Sequence, residues 1–290
     1  MVEAETGVGE VNLATNGIQL HAVEAGPRDG PLVILLHGFP EFWWGWRRQI
    51  EPLAAAGLHV LAPDQRGYNL SDRPAGVAAY DLDTLAADVI GLADAAGQRK
   101  VMLVGHDWGG LVAWWTASRH PHRVDRLVVL NAPHPAVMGA YMRRHPSQML
   151  RSSYVGFFQL PFIPERLLAA GDFALMRRAL RRSSRPGTFS PEDLDRYAGA
   201  WARPGALTGM LNWYRALRLR PAIAHAAVEA PTLLIWGGQD RFLERGLAER
   251  SLALCRAGRP LWLDEASHWV HLEKPEIVNL AMLRFLTGGR

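Results

Sequence analysis

Short runs of consecutive apolar residues, each closed by a turn residue, alternate along the chain with longer stretches in which apolar positions recur every three or four residues. The runs are VNLAT (11–15), IQLHAVEA (18–25), PLVILLHG (31–38), HVLAPDQ (59–65), KVMLVGH (100–106), RLVVLNAP (126–133), PTLLIWGG (231–238) and RPLWLDE (259–265). They predict eight strands. The first two flank Asn16-Gly17, a pair that tolerates positive φ at both turn positions, so an antiparallel hairpin is expected at one edge. PLVILL, VMLV, LVVL and TLLIW lack alternation, as strands covered by helices on both faces do. The alternation of strands with helical stretches predicts an α/β fold with a mostly parallel eight-stranded sheet flanked by helices.

From Pro135 to about Ala230 the strand pattern stops and helical, Arg-rich sequence replaces it, punctuated by prolines. Strand-forming sequence resumes at Pro231. The expected organisation is therefore one core, residues 1–135 and 226–290, interrupted by a helical cap over residues 136–225. Charge sets the insertion apart: residues 136–225 hold 14 Arg and 5 acids, a net +9, whereas the whole 290-residue chain has 32 basic and 28 acidic residues, a net +4. The densest stretch, Arg177, Arg178, Arg181, Arg182 and Arg185, has the spacing of a solvated helix face and no interleaved aromatics, so neither nucleic-acid nor anionic-membrane binding is expected of it, and no membrane insertion of the chain. The composition, 49% hydrophobic and 21% charged, excludes a disordered chain. The single cysteine, Cys255, is expected as a small buried apolar residue in a reducing compartment. No apolar run reaches the length of a membrane helix, and MVEAETGVGE has no signal-peptide pattern; the cytoplasm is the expected location.

KVMLVGH runs into Asp107-Trp108-Gly109-Gly110 and then LVAWWTASRH: strand, sharp turn, helix around Gly105-His106-Asp107-Trp108-Gly109. Small residues two before and two after the centre allow a turn tight enough to push the central side chain out at the end of the strand. The alternative is a glycine-rich turn whose Asp caps the next helix. A carboxylate that attacked an ester or amide would form a high-energy anhydride, whereas displacement at an sp3 carbon forms a stable ester. An Asp in this position therefore points to epoxides or haloalkanes. Hydrolysis of that ester needs a base, and His268 follows the last strand; Asp240, directly after LLIWGGQ, is placed to fix its tautomer. His271 is expected on the surface of the next helix and His106 in the packed core. His37-Gly38-Phe39-Pro40 follows the third strand, so the N–H groups of Phe39 and Trp108 are candidate oxyanion donors.

HGFPEFWWGWRRQI, APDQRGYNLSDRP, VGHDWGG, LNAPHP, LLIWGGQD and SHWVHLEKP, in that order, closely resemble the successive core signatures of the epoxide hydrolases of the α/β-hydrolase superfamily, over nearly the whole chain. The resemblance implies a cis Phe39-Pro40 bond and two cap tyrosines that hydrogen-bond the epoxide oxygen. Tyr154 in SSYVGFFQLP and Tyr214 in LNWYRALR match those positions; Tyr141 and Tyr197 match neither. It also implies hydrolysis of lipophilic epoxides to vicinal diols, with a small-molecule epoxide and water as partners, no cofactor and no metal, in a monomer or homodimer. Phe39, Trp108, Phe157 and Phe158 are expected to bind substrate, with Phe42, Trp43, Leu160 and Phe162 as further candidates for an apolar pocket. Two alternatives stand beside this reading. Haloalkane and fluoroacetate dehalogenases share the Asp elbow, but the first often carry Asn where Phe39 stands, and the second use arginines near positions held here by Trp108 and Leu111. A non-catalytic ligand-binding α/β-hydrolase usually lacks a member of the Asp, Asp, His set, and here all three are present.

Overall fold

The computed structural model describes residues 8–219 and 227–288. Its eight strands are β1 (Gly9–Thr15), β2 (Ile18–Ala25), β3 (Leu32–Leu36), β4 (His59–Pro63), β5 (Val101–His106), β6 (Val124–Leu130), β7 (Thr232–Gly237) and β8 (Gly258–Leu263). They form one sheet in the order β1-β2-β4-β3-β5-β6-β7-β8. β2 pairs antiparallel with β1 and with β4, and the remaining neighbours are parallel. The expected hairpin is present: Asn16 (φ 45°) and Gly17 (φ 77°) put both turn residues in the left-handed region, and Thr15 pairs with Ile18.

The helices are α1 (Ile50–Ala55), α2 (Leu82–Ala95), α3 (Trp108–Arg119), α4 (Pro135–Met142), α5 (Pro146–Arg151), α6 (Tyr154–Phe158), α7 (Ile163–Ser183), α8 (Pro191–Trp201), α9 (Ala206–Ala216), α10 (Arg245–Leu252), α11 (Val270–Glu273) and α12 (Pro275–Leu286). α4 to α9 occupy the interval between β6 and β7. The far end of the expected insertion, at 225/226, lies outside the described residues. Pro135, Pro146 and Pro191 each open a helix, where the missing N–H would have had no intrahelical acceptor. Among the described residues no helix is long and apolar enough to cross a membrane.

Alternate residues of the buried strands feed two cores, one on each face of the sheet. Leu103, Leu127 and Leu234 join α2, α3 and the α4 to α9 segment, while Val104, Val128 and Ile235 join α1 and α12. α8 is fastened to the turn after β3 along one face, at i, i+4 spacing. Asp193 accepts from Trp44 Nε1 at 2.8 Å and pairs with Arg47 at 3.0 Å; Tyr197 donates to Glu41 at 3.1 Å; Trp201 Nε1 donates to the Pro40 carbonyl at 2.6 Å. Inside α7 the helix breaks: Gly171, Asp172 and Phe173 take φ of 58°, 55° and 59°. Cys255 is half-buried just past α10 rather than buried inside a helix.

Candidate active site

Asp107 stands between β5 and α3 with φ 50° and ψ −119°, a conformation that only close-packed surroundings hold. The flanking glycines explain how. A Cβ on Gly105 would lie 2.3 Å from the Gly109 carbonyl oxygen, one on Gly109 2.0 Å from that of Leu36, and one on Gly38 2.5 Å from the Asp107 Cβ. The elbow can close against β3 only without those side chains. Phe39-Pro40 is cis, as the resemblance implies, and the Phe39 N–H donates to Asp107 Oδ1 at 2.9 Å. Trp108 opens α3, whose first-turn amides have no intrahelical acceptor.

His268, after β8, places Nε2 3.5 Å from Asp107 Oδ2 and donates from Nδ1 to Asp240 Oδ2 at 2.8 Å. Asp240 is itself fixed by the N–H groups of Phe242 (2.7 Å) and Leu243 (3.0 Å) and by Asn131 Nδ2 (2.7 Å). Burial alone would lower the His268 pKa, but the two carboxylates outweigh it and raise it to about 10. Burial would raise the Asp107 carboxyl; the hydrogen bond and charge of His268, with the Phe39 amide, hold it below the usual range instead.

Two cavities meet at Asp107. One of about 290 Å³ is lined by Asp107, His268, Phe39, Phe157, Phe158, Phe242 and the inner face of α7; the other, about 460 Å³, by Asp107, Trp108, Leu111 and the methionines 138, 142 and 149. Tyr154 and Tyr214 line both. Burial raises both phenols, and the Asp107 charge adds to it. Their rings meet edge to face at 6.0 Å, and the Tyr214 ring also packs on Phe39 and Trp108.

The expected site residues Asp107, Asp240, His268, Phe39, Trp108, Tyr154, Tyr214, Phe157 and Phe158 are thus brought together. The further pocket candidates are not. Phe42 is buried against Trp43 and Tyr197, and Leu160 and Phe162 are exposed, Phe162 by 74%. His271 is also corrected: it is fully buried, 4.4 Å from the His106 ring and 5.0 Å from that of Trp46. Burial pushes its pKa down to about 4, and the nearby His106 adds to the effect. His106 donates from Nε2 to the His268 carbonyl and faces the Glu41 carboxylate with Nδ1, both at 3.0 Å. Glu41, His106 and His271 hold ligand atoms within 4.8 Å of one another, a group among the described residues able to hold a metal ion that sequence spacing did not suggest. The Glu41 carboxylate has Tyr197 and His106 as hydrogen-bond partners, with His271 Nε2 3.5 Å away.

Sequence reasoning also passed over Asn131 and Phe242. Asn131, in the left-handed region directly after β6, bridges Asp240 and the N–H of Gly237 (2.9 Å). Its position in LNAPHP, at the end of a strand, was the available signal. Phe242 packs edge to face on His268 at 5.1 Å.

An Asp elbow at the carboxyl end of a parallel sheet, with an acid and a histidine from later strand ends, defines an α/β hydrolase. The family model described as alpha/beta hydrolase fold matches residues 31–275, and the chain belongs to that family. Within it, its place is with the epoxide hydrolases. The chain is 37% identical to epoxide hydrolase A of Mycobacterium tuberculosis, over 94% of this chain and 96% of that protein. The crystal structure of epoxide hydrolase A from Mycobacterium thermoresistibile superposes with a TM-score of 0.87 at 35% identity, covering 97% of this chain and 99% of the other. This chain is also 51% identical to the AB hydrolase superfamily protein YfhM of Bacillus subtilis, over 94% of this chain and 96% of that protein.

Proposed function

We propose that this chain is an epoxide hydrolase that converts lipophilic epoxides to vicinal diols through an ester on Asp107. The observation that carries this reading is the meeting, in one apolar cavity, of the Asp107 carboxylate, the phenols of Tyr154 and Tyr214 and the imidazole of His268. The α4 to α9 segment acts as the cap (136–225) over the core, and the protein works in the cytoplasm.

Asp107 attacks an epoxide carbon in line with the C–O bond, which breaks as Tyr154 and Tyr214 hydrogen-bond the oxygen and one phenol gives it a proton. The expelled alkoxide is a far stronger base than a phenolate, so phenols kept protonated by burial are competent donors. Esterification removes one of the two negative charges that hold the His268 proton. The proton it sheds restores the phenol, and neutral His268, oriented by Asp240, then takes a proton from water. Hydroxide adds to the ester carbonyl, the Phe39 and Trp108 amides receive the oxyanion, and collapse passes a proton to the departing oxygen. The diol leaves with Asp107 again a carboxylate and His268 again protonated.

The test is His268→Gln with a styrene-type epoxide. The variant should accumulate protein heavier by one substrate, with the adduct on Asp107, and release no diol. A folded His268→Gln protein that forms no adduct while Asp107 is intact refutes the reading.

A further inference from the structure

Eight of the twelve large apolar side chains that are exposed among the described residues lie between residues 149 and 219, in the segment that also carries the net +9. Most cluster on α7 and the turn that leads into it. Phe162, Ile163 and Leu167 stand out on its first half and Leu175 on its second. Arg166 stands beside Ile163 and Leu167 on the first half, and Arg178, Arg181 and Arg182 follow Leu175 on the second, with Arg178 and Arg182 at i+3 and i+7 from it; all four are exposed, and among the described residues none of these side chains has an ion pair or hydrogen bond. The acids of the same helix are already neutralised: Glu165 by Arg215 at 2.7 Å and Asp172 by Arg177 at 2.8 Å. A solvated face needs the arginines but not the apolar side chains beside them, and a protein interior needs the reverse. Both together are what an anionic lipid surface takes up. Exposed Leu175 and Ala179 also line the 290 Å³ cavity, so that cavity reaches the surface on this helix.

We infer that α7 docks the protein on anionic lipid bilayers, with its arginines on the headgroups and Phe162, Ile163 and Leu167 at the acyl boundary. The cavity mouth then opens toward the phase in which lipophilic molecules are dissolved. The docking surface is independent of the proposed chemistry, and only its use, loading epoxides from the bilayer, rests on it. The basic stretch is then more than the solvated face its spacing suggested, although no segment crosses the lipid.

The full chain is sedimented with vesicles of phosphatidylcholine alone and with one quarter phosphatidylglycerol. Binding is expected to the anionic vesicles, weakening as salt shortens the range of the charges. The triple variant Arg178→Glu, Arg181→Glu, Arg182→Glu should lower the bound fraction at least about tenfold, and the corresponding Lys variant should keep most of it. Phe162→Asn, at a φ of 62° that Asn tolerates, should also weaken binding. With a water-soluble epoxide the Glu variant should turn over like the wild type, and with a vesicle-dissolved one it should fall behind. Wild-type protein that ignores anionic vesicles overturns the inference, as does binding the Glu variant retains. Equal binding to duplex DNA that Phe162→Asn leaves untouched overturns it in favour of a general polyanion site.

Discussion

In the proposed cycle His268 must hold its proton in the resting protein and give it up once Asp107 is esterified, and Asp107→Asn imitates that loss of charge. Two carboxylates raise the ring from its ordinary 6.5 to about 10 against the opposing effect of burial, a difference of roughly 5 kcal/mol. Asp240 is the nearer partner at 2.8 Å and Asp107 the farther at 3.5 Å, so Asp107 supplies the smaller part of what the carboxylates contribute. Asp107→Asn should therefore bring the His268 titration down by about one to two pH units. It can be read by NMR on histidine-labelled protein, with the signal assigned through His268→Gln. The same linkage bears on stability. A group whose pKa is raised on folding contributes stability that is fully present below about 6.5 and lost as pH rises through about 10. The wild type should lose stability over that window, and Asp107→Asn should lose less. Single-turnover ester hydrolysis should rise with pH through the lowered value, since only neutral His268 can take a proton from water. An Asp107→Asn protein whose His268 titrates where the wild type does would show that Asp107 does not hold that proton, and the charge-loss step would fall with it.

Tyr154→Phe and Tyr214→Phe should each slow adduct formation, and together nearly abolish it, while hydrolysis of a preformed ester is largely spared; burst kinetics separate the two steps. Asn131→Ala removes a buried hydrogen bond to the Asp240 carboxylate and strands the Gly237 N–H. It should cost about 1.5–3 kcal/mol in thermal or urea unfolding and slow ester hydrolysis more than alkylation. Trp201→Phe deletes the 2.6 Å bond to the Pro40 carbonyl and leaves a cavity where part of a buried indole stood; a loss of about 2 kcal/mol or more should appear in denaturant melts.

The strands were legible because a parallel strand covered on both faces must be apolar at every position. PLVILL and TLLIW therefore declare themselves without reference to their neighbours. The elbow was legible for a related reason: glycines at 105 and 109 are demanded by backbone contacts local to the turn and to the strand beside it. Asn131 was not, because its role depends on β6 lying beside β7, and the order of strands in a sheet is not written in any one of them. His271 was misplaced because α11 is a single turn, too short for periodicity to define a buried face. Phe162 misled because an aromatic beside a motif says nothing of its backbone, and here a positive φ accompanies an exposed ring.

The bonds from Asp193, Tyr197 and Trp201 bear on how the molecule can breathe. All three anchor α8 to the short stretch from Pro40 to Arg47, and that stretch begins one residue after the amide that touches Asp107. A swing of the α4 to α9 segment as one piece would pull on Pro40 and disturb the Phe39 amide that touches Asp107. The helix geometry is interrupted elsewhere, at the left-handed break of residues 171–173, with the α7 wall of the smaller cavity just beyond it. A bend at that break would widen the cavity without drawing on the Pro40 to Arg47 stretch.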